Sequence, residues 1–218
     1  MGLLGAAMPV FGGGEGDTTH TLADVIAQST TSHAGSSFTG TNGSGTATAS
    51  TLTVSIPGST TTATWANQPR LTKNTIANPL RVEVTARLAS VSGATIGSFF
   101  ALAIRKSDGT ALVLVQSRGD GDLSVYVGAS ELTLADEEVC ALDGTDWFRL
   151  RIDGGHLEVW QGFGSSTNPT WRCVYHGDRA LGTDIETATY LTLALYQGTV
   201  AAGTVTAQWA DVSSVALA

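Results

Sequence analysis

The clearest pattern in the chain is an alternation of apolar and polar residues between positions 147 and 160. A period of two is typical of β-strands that are buried on one face. The pattern stops at Asp153-Gly154-Gly155 and then resumes, and glycine at this point allows the positive φ angle of a tight turn. We therefore predict an antiparallel hairpin. Its inward side chains are Phe148, Leu150, Ile152, Leu157 and Val159, and its outward ones are Trp147, Arg149, Arg151, Glu158 and Trp160.

Shorter alternating runs, separated by turn residues, fill most of the remaining sequence. An opening strand begins near Ala47 and ends at Pro57-Gly58, a long strand covers residues 80–88, and closing strands follow up to Leu217. No long helical period competes with this pattern after Gln28. About ten to twelve short strands at intervals of about 8 to 12 residues are typical of two packed antiparallel sheets. We predict an all-β fold, a two-sheet antiparallel β-sandwich, for residues 36–218.

Residues 1–35 form a different kind of segment, which we predict to be an irregular N-terminal arm. It combines apolar residues with a glycine run that cannot form a core of its own. A short helix of about two turns is expected near residues 19–28. The arm packs either on its own domain or on a partner, and the sequence leaves both alternatives open. Its apolar anchors are Leu3, Leu4, Val10 and Phe11.

Composition supports strands and excludes several partners. Of the 218 residues, 42% are hydrophobic, 14% are charged and 26 are glycine, which favours strands and turns over helices. The net charge of -8 opposes binding to nucleic acid or to an anionic membrane. No apolar run is long enough to span a bilayer, and the first residues resemble neither an export signal nor a lipid anchor. The chain has two cysteines, Cys140 and Cys173, and we favour free thiols over a disulfide bridge between them.

The central hairpin resembles that of concanavalin A-like lectin/glucanase domains, the laminin-G-like jelly roll. The similarity lies in residues 146–155 and 157–160, in Pro69-Arg70-Leu71 before the strand at 81–84, and in the closing stretch 209–217. It covers roughly residues 36–218 and implies a jelly-roll sandwich. Modules of this type that are rich in Gly, Thr and Ala and poor in Lys resemble those of phage virion proteins.

Enzymatic motifs known for this fold class are missing from the sequence. Glucanases with this fold place carboxylates along one strand, in a pattern like Glu-x-Asp-x-x-Glu, whereas Asp136-Glu137-Glu138 are consecutive and are better explained as a solvated loop. No Gly-x-Ser-x-Gly motif occurs, and Cys173 and His176 face opposite sides of a strand. The run from Gly119 to Asp122 is better explained as a turn than as a calcium site. We expect no catalytic residue, no metal and no cofactor, and thus a protein that is not an enzyme.

Aromatic and cationic side chains that the alternation directs outward define a candidate ligand or interface face, namely Arg149, Arg151, Trp160 and Tyr196. Packing of this face against a loop or a neighbouring subunit is favoured over sugar binding, because an interface needs only area whereas a sugar site needs geometry. We predict a non-enzymatic bacteriophage virion structural protein, either a capsid decoration or a minor tail component. It would be located in the virion and attached to other virion proteins by its arm. The alternative is a carbohydrate-binding module that attaches to a glycan on the host surface.

Oligomerisation follows from the energetics of the arm. Each large apolar side chain contributes about 1.5 to 3 kcal/mol when it is buried. Fixing the backbone costs about 1 to 2 kcal/mol per residue, so four anchors suffice only if few residues are fixed or if several subunits bind together. We therefore expect a homo-oligomer.

Overall fold

Antiparallel pairing arranges the chain in two sheets. The computed structural model describes residues 30–62, 64–74, 81–106, 108, 110–128, 130–134, 140–178 and 190–217. The strands of this part are β1 (Thr30–Ser32), β2 (Thr39–Thr41), β3 (Thr46–Thr48), β4 (Thr53–Ile56), β5 (Arg70–Asn74), β6 (Arg81–Ser92), β7 (Ser98–Arg105), β8 (Ala111–Arg118), β9 (Leu123–Val127), β10 (Ser130–Glu131), β11 (Asp146–Asp153), β12 (His156–Phe163), β13 (Thr170–Asp178), β14 (Tyr190–Gln197) and β15 (Val205–Ala216). Sheet A has eight strands in the order β13-β12-β11-β6-β15-β4-β3, with β1 also pairing with β15, and sheet B has seven in the order β10-β9-β8-β7-β14-β5-β2. The predicted all-β antiparallel sandwich is confirmed.

The central hairpin is β11 and β12, and its predicted faces are confirmed. Leu150 lies opposite Val159, and both are fully buried. The turn contains Gly154 with a φ angle of 61°, a conformation that glycine adopts without steric cost. Because β11 also pairs with β6, the hairpin is joined to the middle of sheet A.

The core lies between the sheets and is filled by the inward residues of both. Trp209 of β15 packs on Phe148 of β11 with ring centroids 5.9 Å apart. The largest fully buried side chains are Trp209, Phe100, Phe148, Ile56, Leu71, Leu88, Leu102, Ile104, Leu150, Ile152 and Leu157. They come from both sheets, so a single apolar layer holds the sandwich together.

The opening strand differs from the prediction. Instead of one run, β3 and β4 form a hairpin around the 3₁₀ helix Ala49–Thr51, and Leu52 has a φ angle of 51° at its end. The left-handed residue reverses the chain, which the alternation of Ala47, Val54 and Ile56 could not reveal. Residues 132–134 follow β10, and the acidic cluster at 136–138 lies outside the described residues.

Helical structure in the described part of the chain consists of three 3₁₀ helices, Gly35–Ser37, Ala49–Thr51 and Trp65–Asn67. None of the helices described here is long and apolar enough to cross a lipid bilayer. The predicted helix at 19–28 lies outside the described residues. Part of the predicted arm, β1, pairs with the C-terminal strand β15.

Candidate functional site

The outer face of sheet A carries the residues that the alternation directs away from the core at the central hairpin. The guanidinium carbon of Arg149 lies 3.9 Å from the centre of the Trp171 ring, and Arg149 Nε is 3.4 Å from Glu83 Oε1. Trp160 Nε1 donates a hydrogen bond to Glu158 Oε2 at 3.1 Å. The guanidinium group of Arg149 and the indole N–H of Trp160 therefore both have partners within the protein.

Similar pairing continues toward the start of β11. Arg87 Nε donates to Asp211 Oδ2 at 2.7 Å, and the Arg87 guanidinium lies 5.7 Å from the Trp147 ring centre. Trp147 Nε1 donates to the carbonyl oxygen of Ser165 at 2.9 Å. The outer face of sheet A is thus a network of mutually paired side chains, half exposed to solvent.

The structure brings together three of the four residues predicted to form one outward face. Arg149 lies directly opposite Trp160, and Arg151 is the next outward residue of β11. Tyr196 belongs to β14 of sheet B, on the other side of the sandwich. Strand parity separates inward from outward residues, but it does not tell which of two sheets a strand joins.

The outer face of sheet B differs because its centre is built from small residues. Ala103 lies beside Thr192, and Ala101 lies beside Ala194, on adjacent strands β7 and β14. These four residues point away from the core, since Leu102 and other alternate residues fill it. Even so, each is at most 1% exposed. We call Ala101, Ala103, Thr192 and Ala194 the small-residue floor.

Larger aromatic side chains flank this floor. Phe99 and Tyr196 stack with centroids 4.7 Å apart and an interplanar angle of 7°. On β9, Tyr126 lies opposite Glu131 of β10. Burial, the charge of Glu131 and a hydrogen bond to Glu131 raise the pKa of Tyr126. Burial, with Tyr126 and Glu131 as smaller causes, also raises the pKa of Tyr196, so both phenols stay protonated at neutral pH.

Two arginines meet at one indole on the same face. The guanidinium carbon of Arg70 lies 3.8 Å from the centre of the Trp65 ring, and that of Arg105 lies 4.6 Å from it. Arg70 Nη1 donates to the carbonyl oxygens of Trp65, at 2.8 Å, and Gln68, at 3.1 Å. Burial, with the neighbouring charge of Arg70 as a smaller cause, lowers the pKa of Arg105 to about 10. We call Trp65, Arg70 and Arg105 the Trp65 cluster.

Several buried polar atoms on this face have no hydrogen-bond partner among the residues that the structure describes. They are Gln116 Oε1, Thr192 Oγ1 and Arg70 Nε, together with Gln68 Oε1 just before β5. Gln116 lies opposite Ala101, beside the floor. A buried polar atom without a partner costs about 1 to 3 kcal/mol, so native proteins retain few of them, and usually for a reason. Gln197 Nε2 and Oε1 and Trp209 Nε1 are further atoms of this kind, and they lie away from this face.

The chemistry available on this face is hydrogen bonding, proton donation by phenols and attraction of anions. Glu131 supplies a carboxylate next to Tyr126. Asp120 and Asp122, at the end of the sheet, pair with Arg118, which accounts for the turn that sequence reasoning weighed against calcium. In the described ranges, no group of three or more His, Cys, Asp or Glu side chains is placed to hold a metal ion.

Both cysteines are free, as favoured from the sequence. Burial raises the pKa of Cys140 to about 12 and that of Cys173 to about 11. Since the thiolate is the nucleophile, both thiols are unreactive at neutral pH.

Sequence reasoning missed the small-residue floor and the Trp65 cluster. A signal was present in β7, where the outward positions Ala101 and Ala103 are small and Arg105 continues the same alternation. Trp65 could not be found in this way because it lies in a 3₁₀ helix outside any alternating run.

No protein-family model and no curated protein sequence matches this chain. Its fold is similar to several solved structures. The Crh5 transglycosylase in complex with NAG has a TM-score of 0.54 at 10% identity, covering 87% of this chain and 84% of that one. The alginate lyase AlgAT5 of polysaccharide lyase family 7 has a TM-score of 0.50 at 11% identity, covering 78% and 81%. A bifunctional GH43-CE protein of Bacteroides eggerthii has a TM-score of 0.50 at 12% identity, covering 73% of this chain and 22% of its own.

These structures show that the chain has a concanavalin A-like sandwich fold that is shared by carbohydrate-active enzymes. We expected a protein that is not an enzyme, and this expectation is wrong because the fold is one that carbohydrate-active enzymes use. It rested on the absence of local motifs, whereas an active site on a sheet can be assembled from residues of several strands that lie far apart in the sequence. The chain spans only about a fifth of the Bacteroides protein, so the match concerns one part of that enzyme.

Several expectations remain predictions. Leu3, Leu4, Val10 and Phe11 lie outside the described residues. The comparisons do not bear on a phage virion, on other virion proteins as partners or on a homo-oligomer.

Proposed function

We propose that this chain is a carbohydrate-active β-sandwich that holds a glycan against the outer face of sheet B. The observation that carries the proposal is the set of buried polar atoms without described partners, Gln116 Oε1 and Thr192 Oγ1 above all, at the small-residue floor. A ligand with many hydroxyl groups can supply hydrogen bonds to such atoms.

Sugar rings fit this surface chemically because they combine apolar faces with hydroxyl rims. Binding sites for such ligands join aromatic side chains with a few well-placed polar groups. Tyr126 and Tyr196 flank the floor and remain protonated, so each can pack against a ring, and the Tyr196 hydroxyl can also donate a hydrogen bond.

The neighbouring structures support this class of ligand. They include a transglycosylase in complex with NAG and an alginate lyase, and both align over more than three quarters of this chain. At about 10% identity this likeness concerns the fold, so the particular sugar and reaction must come from this chain's own residues.

A glycan array followed by a product assay tests the proposal. We expect the wild-type protein to bind a restricted set of glycans, and those glycans then serve as substrates in assays for released reducing ends and unsaturated products. Gln116→Leu keeps a similar volume but removes the unpartnered amide, and we expect it to weaken binding about tenfold. Tyr196→Phe removes only the phenol hydroxyl and should lower product release more than binding.

The matched control is Arg151→Gln, on the outer face of sheet A. It should bind and turn over glycans as the wild type does. An array without any bound glycan, or equal binding by the wild type and Gln116→Leu, would contradict the proposal.

A further inference from the structure

The Trp65 cluster concentrates positive charge on the proposed glycan face. The two guanidinium carbons lie 3.8 and 4.6 Å from the same ring centre, and Arg105 is only 7% exposed. Two guanidinium groups at one indole raise the positive potential of this part of the face.

Arg70 lacks a carboxylate partner in the described part of the chain. Its Nη1 donates to two backbone carbonyl oxygens, which fix the position of the side chain but do not neutralise it. Its Nε is buried and has no described hydrogen-bond partner. A planar guanidinium with an unused donor is suited to a carboxylate, which it binds through charge-assisted hydrogen bonds.

Sheet topology places opposite charges toward the two edges of this face. Arg70 lies on β5 beside Ala194 of the floor, whereas Glu131 lies on β10 at the opposite edge of the sheet. An acidic group on a glycan would be attracted toward Arg70 and Arg105 and repelled from Glu131. One end of a bound chain is thereby distinguished from the other.

We propose that the Trp65 cluster binds the carboxylate of an acidic sugar, so that the glycan held on the outer face of sheet B contains uronate residues. This inference rests on the proposed function and adds the class of glycan. Trp65 holds both guanidinium groups in place by cation–π contacts, and Arg70 supplies the free donor.

Calorimetry with matched ligands tests the inference. The probes are a uronate tetrasaccharide and the same tetrasaccharide with its carboxylates reduced to primary alcohols. We expect the wild-type protein to bind the uronate form at least about tenfold more tightly, as charge-assisted hydrogen bonds imply. Raising the salt from about 0.1 M to about 1 M should remove most of this preference by screening.

Arg70→Gln should lose the preference for the uronate form while still binding the reduced form. Arg149→Gln is the matched control, because Arg149 also lies 3.9 Å from an indole but on the other side of the sandwich, and it should keep the preference. If Arg70→Gln does not fold, the comparison of ligands and the salt series on the wild type decide the question.

The outcomes separate the two proposals. Equal binding of both tetrasaccharides, without salt dependence, would overturn the acidic-sugar inference and leave glycan binding standing. Binding of neither tetrasaccharide, combined with a glycan array that shows only neutral ligands, would also overturn the inference alone. An array without any ligand would overturn both.

Discussion

The two outer faces of the sandwich use the same kind of contact in different ways. On sheet A, Arg149 stacks on Trp171 at 3.9 Å and also lies beside Glu83. On sheet B, Arg70 stacks on Trp65 at 3.8 Å, but its described hydrogen bonds go only to backbone carbonyl oxygens. A cation–π contact by itself is thus a poor indicator of a ligand site. The informative feature is whether the polar groups around it are already paired.

A pair of threonines repeats this comparison without any charge. Thr85 of sheet A and Thr192 of sheet B are both buried and both point away from the core. Thr85 Oγ1 accepts a hydrogen bond from Arg149 Nε at 3.4 Å, whereas Thr192 Oγ1 has no partner among the described residues. The buried hydroxyl on the outer face of sheet A is therefore paired, whereas the corresponding hydroxyl on the outer face of sheet B is not.

The largest effect is expected where both faces depend on the shared core. Leu150→Ala removes a fully buried side chain of the central hairpin and should cost about 2 to 5 kcal/mol of unfolding free energy. Arg151→Ala changes the outer face next to it and should cost less than about 1 kcal/mol, because its ion pair with Glu158 is long and partly exposed. Urea unfolding of both variants measures the difference. Equal losses would mean that the core does not dominate stability.

The threonine pair gives the next largest effect. Thr85→Val should lower the free energy of unfolding by about 0.5 to 1.5 kcal/mol, because it removes a hydrogen bond. Thr192→Val should leave stability unchanged or raise it by up to about 1 kcal/mol, because it removes an unpartnered buried hydroxyl. Thermal and urea unfolding provide the measurement. A loss on Thr192→Val as large as that on Thr85→Val would show that the hydroxyl of Thr192 is satisfied.

Alkaline pH should distinguish the faces through the phenols of sheet B. The folded pKa of Tyr196 is raised, chiefly by burial, above the unfolded value of about 10. A raised phenol pKa stabilises the fold below pH 10, and this contribution is lost as the pH rises through the folded pKa. Wild-type stability should therefore fall more steeply above about pH 10 than that of Tyr196→Phe. Identical pH profiles in denaturant unfolding would argue against a buried phenol.

The smallest effect is expected from the ion pairs at the end of the central hairpin. Arg81 Nε lies 3.1 Å from Asp153 Oδ1, with 41% and 12% of the two side chains exposed. Asp153→Asn should cost less than about 1 kcal/mol, and added salt should reduce that cost. Asp178→Asn, at a carboxylate that is 90% exposed, is the control and should cost less still. A loss above 2 kcal/mol for Asp153→Asn would mean that the pair is effectively buried.

Much of the fold could be predicted from the sequence because period-two alternation reports directly on burial. Phe148, Leu150 and Ile152 were assigned inward and are fully buried. The hairpin turn was placed correctly because Gly154 has a local conformational requirement. Alternation failed at Leu52, where a single left-handed residue divides one predicted strand into two.

The candidate site could be predicted much less well. Tyr196 was correctly expected to face outward, yet it was grouped with Trp160, which lies in the other sheet. Trp65, Arg70 and Arg105 meet although 40 residues separate the first from the last. Their meeting depends on β14, which lies between β5 and β7 in the sheet but follows both in the chain.

By itself the sequence determined which residues avoid water, where the chain turns and that the fold is a β-sandwich, because these depend on side-chain chemistry over a few neighbouring positions. Only the tertiary structure decided which strands are neighbours and in which sheet each outward residue lies, because strand order is set by long-range pairing. The unpaired polar atoms of Gln116 and Thr192 belong to that second class. Whether a polar side chain has a partner depends on what the fold brings beside it, which no local pattern contains.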